Sequence, residues 1–199
     1  LTEFKRTEKF ESMIAAYTKS KHCIVVNNGT ISLTLAAIAL DIKAGDEVIV
    51  PNYTMVATPN SIKMFGAKPV FVDVEPNTFN IDVTRIEEMI TDKTVAILAP
   101  NLMGNICKWD KIREIADKYD LIVIEDSADT LGANYKNKSS GHYSDMSITS
   151  FYGSHIINCA GNGGALMIND EKVMEEAKLL RSWGRSSSLY NEQSEAIEN

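Results

Sequence analysis

Long apolar runs are missing from these 199 residues. No stretch approaches the ~20 consecutive apolar residues of a membrane-spanning helix, so no spanning helix is expected. No basic, then apolar, then small-residue leader opens the chain, and its first residue, Leu1, leaves open what precedes it. Cysteine is scarce: Cys23, Cys107 and Cys159 are odd in number and far apart. With no CxxC pair, and with His22, His142 and His155 scattered, neither a disulfide framework nor a zinc site is expected, and no metal is assigned. Free thiols in a reducing cytoplasm are the plain expectation. Positive charge is also short, with 20 Lys and Arg against 27 Asp and Glu, a net charge of −7. That balance weighs against nucleic acid or an anionic membrane as the main partner. GxGxxG, GxxxxGK[ST] and GxSxG are all absent, which weakens the dinucleotide, P-loop and serine-hydrolase readings. Nothing marks a glycosidase carboxylate pair, an internal repeat or a low-complexity segment.

What is present is alternation. Short apolar segments at 22–26, 47–50, 70–74, 94–99, 121–125, 147–151 and 165–168 read as seven strands. Helical spacing falls at 3–20, 31–40, 55–65, 82–91, 108–119 and 171–183, with Thr30 as a candidate cap and Pro59 near the start of its helix. Val/Ile/Leu strands separated by helices predict an α/β fold with a mostly parallel seven-stranded sheet flanked by helices. No helix fits 152–165, so the last strand is expected to run antiparallel. The domain is expected over 1–184, with a polar tail at 185–199 leading into a further domain.

Four stretches could carry chemistry. Residues 145–164 run from an apolar strand through a Gly-Ser turn, present His155, and continue into Gly161, Gly163 and Gly164. A strand ending in a small-residue turn puts a side chain where open α/β sheets bind ligands. Ser150 is a candidate phosphate holder and His155 a proton carrier; the plainer reading is a strand, a loop and an incidental His. Asn27-Asn28-Gly29-Thr30-Ile31 is a strand-to-helix turn whose free amides could hold phosphate, or simply a capped helix. Glu125-Asp126-Ser127-Ala128-Asp129 follows an apolar strand, and its carboxylates could face a metal, a ribose hydroxyl or a protonated ring nitrogen, or be solvated loop acids. The arginines of Arg181-Ser182-Trp183-Gly184-Arg185 could bind a diphosphate or end a solvated helix.

These residues meet in a known pattern. Gly29-Thr30, Pro51-Asn52-Tyr53-Thr54-Met55-Val56-Ala57-Thr58, Phe71-Val72-Asp73-Val74, Ile124-Glu125-Asp126, Leu131-Gly132-Ala133 and Ser150-Phe151-Tyr152-Gly153-Ser154 stand in the order seen in the DegT/StrS-type nucleotide-sugar aminotransferases. These are fold type I enzymes that use pyridoxal 5′-phosphate (PLP). The resemblance runs from about residue 10 to 185 and covers about the first half of a typical member. It implies that the chain is a PLP-binding large domain. It implies that Asp126 pairs with the protonated pyridine nitrogen, that Gly29, Thr30, Ile31 and Ser150 hold the phosphate, and that Asp129 sits near the ring hydroxyl or amine of the cofactor. Family members stack an aromatic ring on the cofactor where this chain has Met55; Tyr53 is the other candidate.

His155 is the main departure. The family's aminotransferases carry at that position the lysine that tethers PLP, and no Lys lies within 16 residues after His155. His at this place is similar to the GDP-4-keto-6-deoxymannose 3-dehydratase subgroup. Asp129-Thr130-Leu131-Gly132 and Trp183-Gly184-Arg185 resemble that subgroup too. Ser186-Ser187-Ser188 stands where an iron–sulfur relative has cysteine, so no cluster is expected. Asn162 replaces the usual Glu, and Asn101 replaces a frequent His. The resemblance implies a lyase of deoxysugar and lipopolysaccharide biosynthesis, in which pyridoxamine 5′-phosphate (PMP) and His155 remove the C3 hydroxyl of a nucleotide-linked 4-keto-6-deoxy sugar. Glutamate is the implied amino donor, and a cytoplasmic homodimer with a shared active site the implied assembly. The alternatives are an aminotransferase of the same family, and a non-catalytic partner or sugar-nucleotide sensor.

Overall fold

The computed structural model describes residues 5–186. Seven strands form one sheet: β1 (His22–Val26), β2 (Glu47–Pro51), β3 (Lys68–Val72), β4 (Thr94–Pro100), β5 (Ile122–Asp126), β8 (Met146–Ser150) and β9 (Gly164–Ile168). Their order across the sheet is β1-β9-β8-β5-β4-β2-β3. The pairs from β8 through β3 are parallel; β9 is antiparallel to both β8 and β1. The mostly parallel seven-stranded sheet and its antiparallel last strand are as expected. A separate hairpin, β6 (Asn134–Tyr135) with β7 (Lys138–Ser139), turns through Lys136 and Asn137, both at positive φ. Of its two turn residues only Asn137 is a sequence signal for that conformation, which is why it was not anticipated.

Strand alternation sends side chains to two cores. Val48, Val50, Leu98, Ile124 and Ile148 pack with α2 (Gly29–Ala39), whose Leu33, Ala36 and Ala37 are buried. Ile49, Ile97 and Val123 face the other way, against Ile112 and Ala116 of α4 (Trp109–Tyr119). A third cluster sets Phe10 and Ile14 of α1 (Lys5–Thr18) against Phe151. The remaining helices are α3 (Ala57–Lys63), with Pro59 in its first turn, and α5 (Glu171–Arg181). No helix among the described residues is long and apolar enough to cross a membrane.

Several boundaries move. The helix expected over 82–91 is two 3₁₀ turns, Val83–Arg85 and Glu87–Met89. Apolar residues at 83, 86 and 89 recur every three, which suits a 3₁₀ turn better than an α-helix, and Asp82 caps the first turn by accepting from the Thr84 amide at 3.0 Å. The third strand lies two residues earlier than expected, running parallel to β2 from Lys68 opposite Glu47 to Val72 opposite Pro51. Asn28, not Thr30, caps α2. The expected tail, beyond Ser186, lies outside the described residues.

Candidate active site

Strands β1, β2, β4, β5 and β8 all point one way, because two antiparallel steps through β9 restore the direction of β1. Their carboxyl ends therefore share one edge, the usual ligand edge of an open α/β sheet. Asp126 and Ser150 end strands at that edge, and Gly29, Met55, Asp129 and His155 follow strands there.

The register brings Gly29 to Ser150. Val26 lies opposite Gly164, and Gly164 opposite Ser150. A Cβ on Gly29 would sit 2.7 Å from the Ser150 Cβ and 3.0 Å from its Oγ. One on Gly164 would meet the Asn28 carbonyl at 2.4 Å. Both glycines let the start of α2 settle on the sheet edge. The amides of that first turn are orphan donors unless capped. Ile31 N–H donates to Asn28 Oδ1 at 2.8 Å and Ser32 N–H to the Asn28 carbonyl at 3.1 Å. The Ile31 amide donates to this cap, and its place among the phosphate holders stays an expectation beside those of Gly29 and Thr30. Gly29 and Thr30 keep amides with no acceptor among the described residues. Ser150 is buried and accepts from the Tyr152 amide at 3.3 Å, so its own hydroxyl hydrogen is left to donate.

Asp126 ends β5 on the α2 side, the side of Ile124. It is buried, and accepts from the Ala128 amide at 3.0 Å. No Lys, Arg or His pairs with it among the described residues. Burial pushes its carboxyl up to about 6, against the Ala128 hydrogen bond, with Asp129 and Glu125 adding repulsion.

Glu125 does not share this crevice. Alternation turns it to the Val123 side. There its Oε1 accepts from Asn101 Nδ2 at 3.0 Å and from the Ser127 and Ser140 hydroxyls at 2.7 Å each, and its Oε2 accepts from the Gly141 amide at 2.9 Å. Asn101 also donates to Thr130 Oγ1 at 3.0 Å, and accepts from the Cys107 amide and Trp109 Nε1 at 2.9 Å each. Its backbone N–H donates to the Asp126 carbonyl at 3.0 Å. This hub behind Asp126 was not anticipated, because its partners span residues 101–141.

His155 and Asp129 meet from different loops, with Nδ1 3.1 Å from Oδ1. Met55 is 66% exposed on the turn before α3, while Tyr53 lies against Phe79 at 5.4 Å. Arg181 is no ligand arm, since its guanidinium is buried on Glu11 at 2.5 Å.

A model of the DegT/DnrJ/EryC1/StrS aminotransferase family matches residues 1–197. The chain belongs to that family. GDP-perosamine synthase of Caulobacter vibrioides is 45% identical over 176 residues, 88% of this chain and 47% of that one. The aminotransferase from Psychrobacter cryohalolentis superposes with a TM-score of 0.88 at 39% identity, over 92% of this chain and 46% of that one. NtdA of Bacillus subtilis, solved with bound cofactor PMP, gives 0.83 at 33% identity, over 86% and 39%. A variant of GDP-4-keto-6-deoxymannose-3-dehydratase with bound GDP-perosamine gives 0.79 at 33% identity, over 86% and 45%. The chain spans about half the length of these relatives.

Proposed function

We propose that this chain is the cofactor-binding part, over 1–184, of an enzyme that modifies a nucleotide-linked keto sugar. The cofactor is pyridoxal phosphate, in its PLP or PMP form. One observation carries the reading: Asp126 is a buried acid without a cationic partner among the described residues, at the sheet edge where α2 begins. A protonated ring nitrogen is the partner such an acid lacks. The Gly29 and Thr30 amides and the Ser150 hydroxyl are donors of the kind that fit a phosphate. When bound, the cofactor supplies an electron-poor ring that accepts charge from a carbon losing a proton. Asp126 keeps that ring nitrogen protonated. His155 moves the proton.

The relatives favour amino transfer as the outcome, since beside GDP-perosamine synthase they include aminotransferases of a UDP-linked and of a dTDP-linked sugar, 40% and 42% identical to this chain. His155 specifically favours a second outcome, 3-dehydration. Imidazole cannot tether the cofactor as lysine does, but it can protonate a departing C3 hydroxyl. Glutamate as amino donor and a homodimer with a shared site belong to the same proposal. The test is incubation of the protein with PLP, glutamate and nucleotide-linked 4-keto-6-deoxy sugars. An amino sugar supports transfer, a 3-deoxy sugar supports dehydration, and neither, with cofactor bound, points to a non-catalytic partner or sensor. His155→Lys should give a borohydride-stable PLP adduct by mass spectrometry; its absence would show that position 155 does not face the cofactor.

A further inference from the structure

We infer that Asp129 is a positioning residue for His155: it accepts the Nδ1–H of the imidazole and leaves Nε2 as the nitrogen that takes and returns the proton. What that proton does rests on the proposed function; the pair itself rests on geometry. Asp129 Oδ1 lies 3.1 Å from His155 Nδ1. A carboxylate is an acceptor only, so a neutral imidazole against it carries its hydrogen on Nδ1 and its lone pair on Nε2. The same logic orients the base in enzymes that pair an imidazole with an acid.

The pair is a poor staple for the fold. The side chains are 23% and 40% exposed, and ion pairs of that exposure add little stability. Its two backbones, by contrast, are well fixed. On the Asp129 side, Ser127 N–H donates to the Ile148 carbonyl of β8 at 2.9 Å, and Thr130 N–H to the Ser127 carbonyl at 3.1 Å. Thr130 Oγ1 is held by Asn101. On the His155 side, its amide donates to the Tyr152 carbonyl at 2.9 Å, and the Tyr152 ring flanks the imidazole at 6.3 Å. The sheet edge thus sets where each partner stands and brings Asp129 Oδ1 to 3.1 Å from Nδ1. The resemblance would instead place Asp129 on the ring hydroxyl or amine of the cofactor. The two roles predict different results.

The test is nitrogen NMR of ¹⁵N-histidine-labelled protein without cofactor at pH 8, with the His155 signals assigned through His155→Gln. The expected result is a protonated Nδ1 and a bare Nε2. Asp129→Ala should shift His155 toward the Nε2–H form that a free histidine side chain prefers, while Asp129→Asn, which keeps an acceptor oxygen, should shift it less. The His22 and His142 signals report whether each variant is folded. If Asp129→Ala fails to fold, the wild-type tautomer and Asp129→Asn decide. A wild-type His155 already in the Nε2–H form, or a tautomer indifferent to Asp129→Ala, overturns the inference. In turnover, Asp129→Ala should lower kcat by about 10²-fold with KM little changed. Weakened cofactor binding with an unmoved tautomer would assign Asp129 to the cofactor instead. If the tautomer result holds and no sugar is turned over by the wild type, the proposed function fails and the pair stands.

Discussion

Asp126 is a carboxyl that the fold would rather keep neutral. Burial raises it from the ~3.9 of an unfolded aspartate to about 6, which corresponds to roughly 3 kcal/mol. The sign follows from the direction of the shift. A raised acid contributes most to stability below its unfolded value, and that contribution is lost as pH rises through about 6. Without cofactor, Asp126→Asn should therefore gain roughly 2 kcal/mol relative to wild type between pH 4 and pH 7.5, read as the difference in urea unfolding free energy. A difference that stays flat across that range would mean the carboxyl is not desolvated. With PLP or PMP added the ranking should reverse, because the amide cannot offer the ring nitrogen a charge. The sequence made Asp126 legible as the acid closing an apolar strand. It did not reveal that Glu125, one residue away, belongs to a different network, because that depends on which face each side chain takes. Nor did it pair His155 with Asp129, a contact made between loops 26 positions apart. Thr30 was misjudged as the cap of α2 because the choice of Asn28, whose side chain takes up the Ile31 amide, is a matter of side-chain geometry.

The start of α2 is seated by two small residues, and they should not be equivalent. Gly29→Ala places its methyl 2.7 Å from the Ser150 Cβ, a side-chain atom at a strand end. Gly164→Ala drives a methyl to 2.4 Å from the Asn28 carbonyl and 2.5 Å from Ser32 Oγ, against helix backbone. Overpacking of this kind costs about 1–3 kcal/mol when neighbours can shift, and more when they are main chain. Gly29→Ala should sit near the lower end of that range and weaken phosphate binding, measured by PLP titration. Gly164→Ala should lose more stability in urea unfolding; if it is the milder of the two, α2 is not seated as described. At this scale most of the fold was legible. Val/Ile-rich strands such as residues 47–50 and 94–99 bury both faces and leave little ambiguity, and the spacing of β8 and β9 allowed no crossover helix. The pieces that were not legible are short. Two 3₁₀ turns carry an apolar period that an α-helix can imitate, and a two-residue hairpin buries too little to leave a pattern.

Across the whole molecule, one ion pair joins the first described helix to the last. Glu11 of α1 accepts from Arg181 of α5, and also from the Val25 amide of β1 at 2.9 Å. The two side chains are 13% and 7% exposed, and burial raises the Glu11 carboxyl against the pull of Arg181. A buried pair need not stabilise a fold relative to apolar residues of the same size, but breaking one side strands the other charge. Glu11→Ala should therefore cost about 3–5 kcal/mol, more than expected from the lost packing alone, while the double replacement Glu11→Met with Arg181→Met should recover most of that loss. The effect should reach the site, because α1 also lays Phe10 against Phe151 at 5.5 Å, directly after Ser150. Hydrogen exchange at the amides of residues 151–155 should accelerate in Glu11→Ala and return toward wild type in the double variant. A single variant that loses less than about 1 kcal/mol would mean that Arg181 reaches water without its partner, and that α1 is held by its apolar contacts alone.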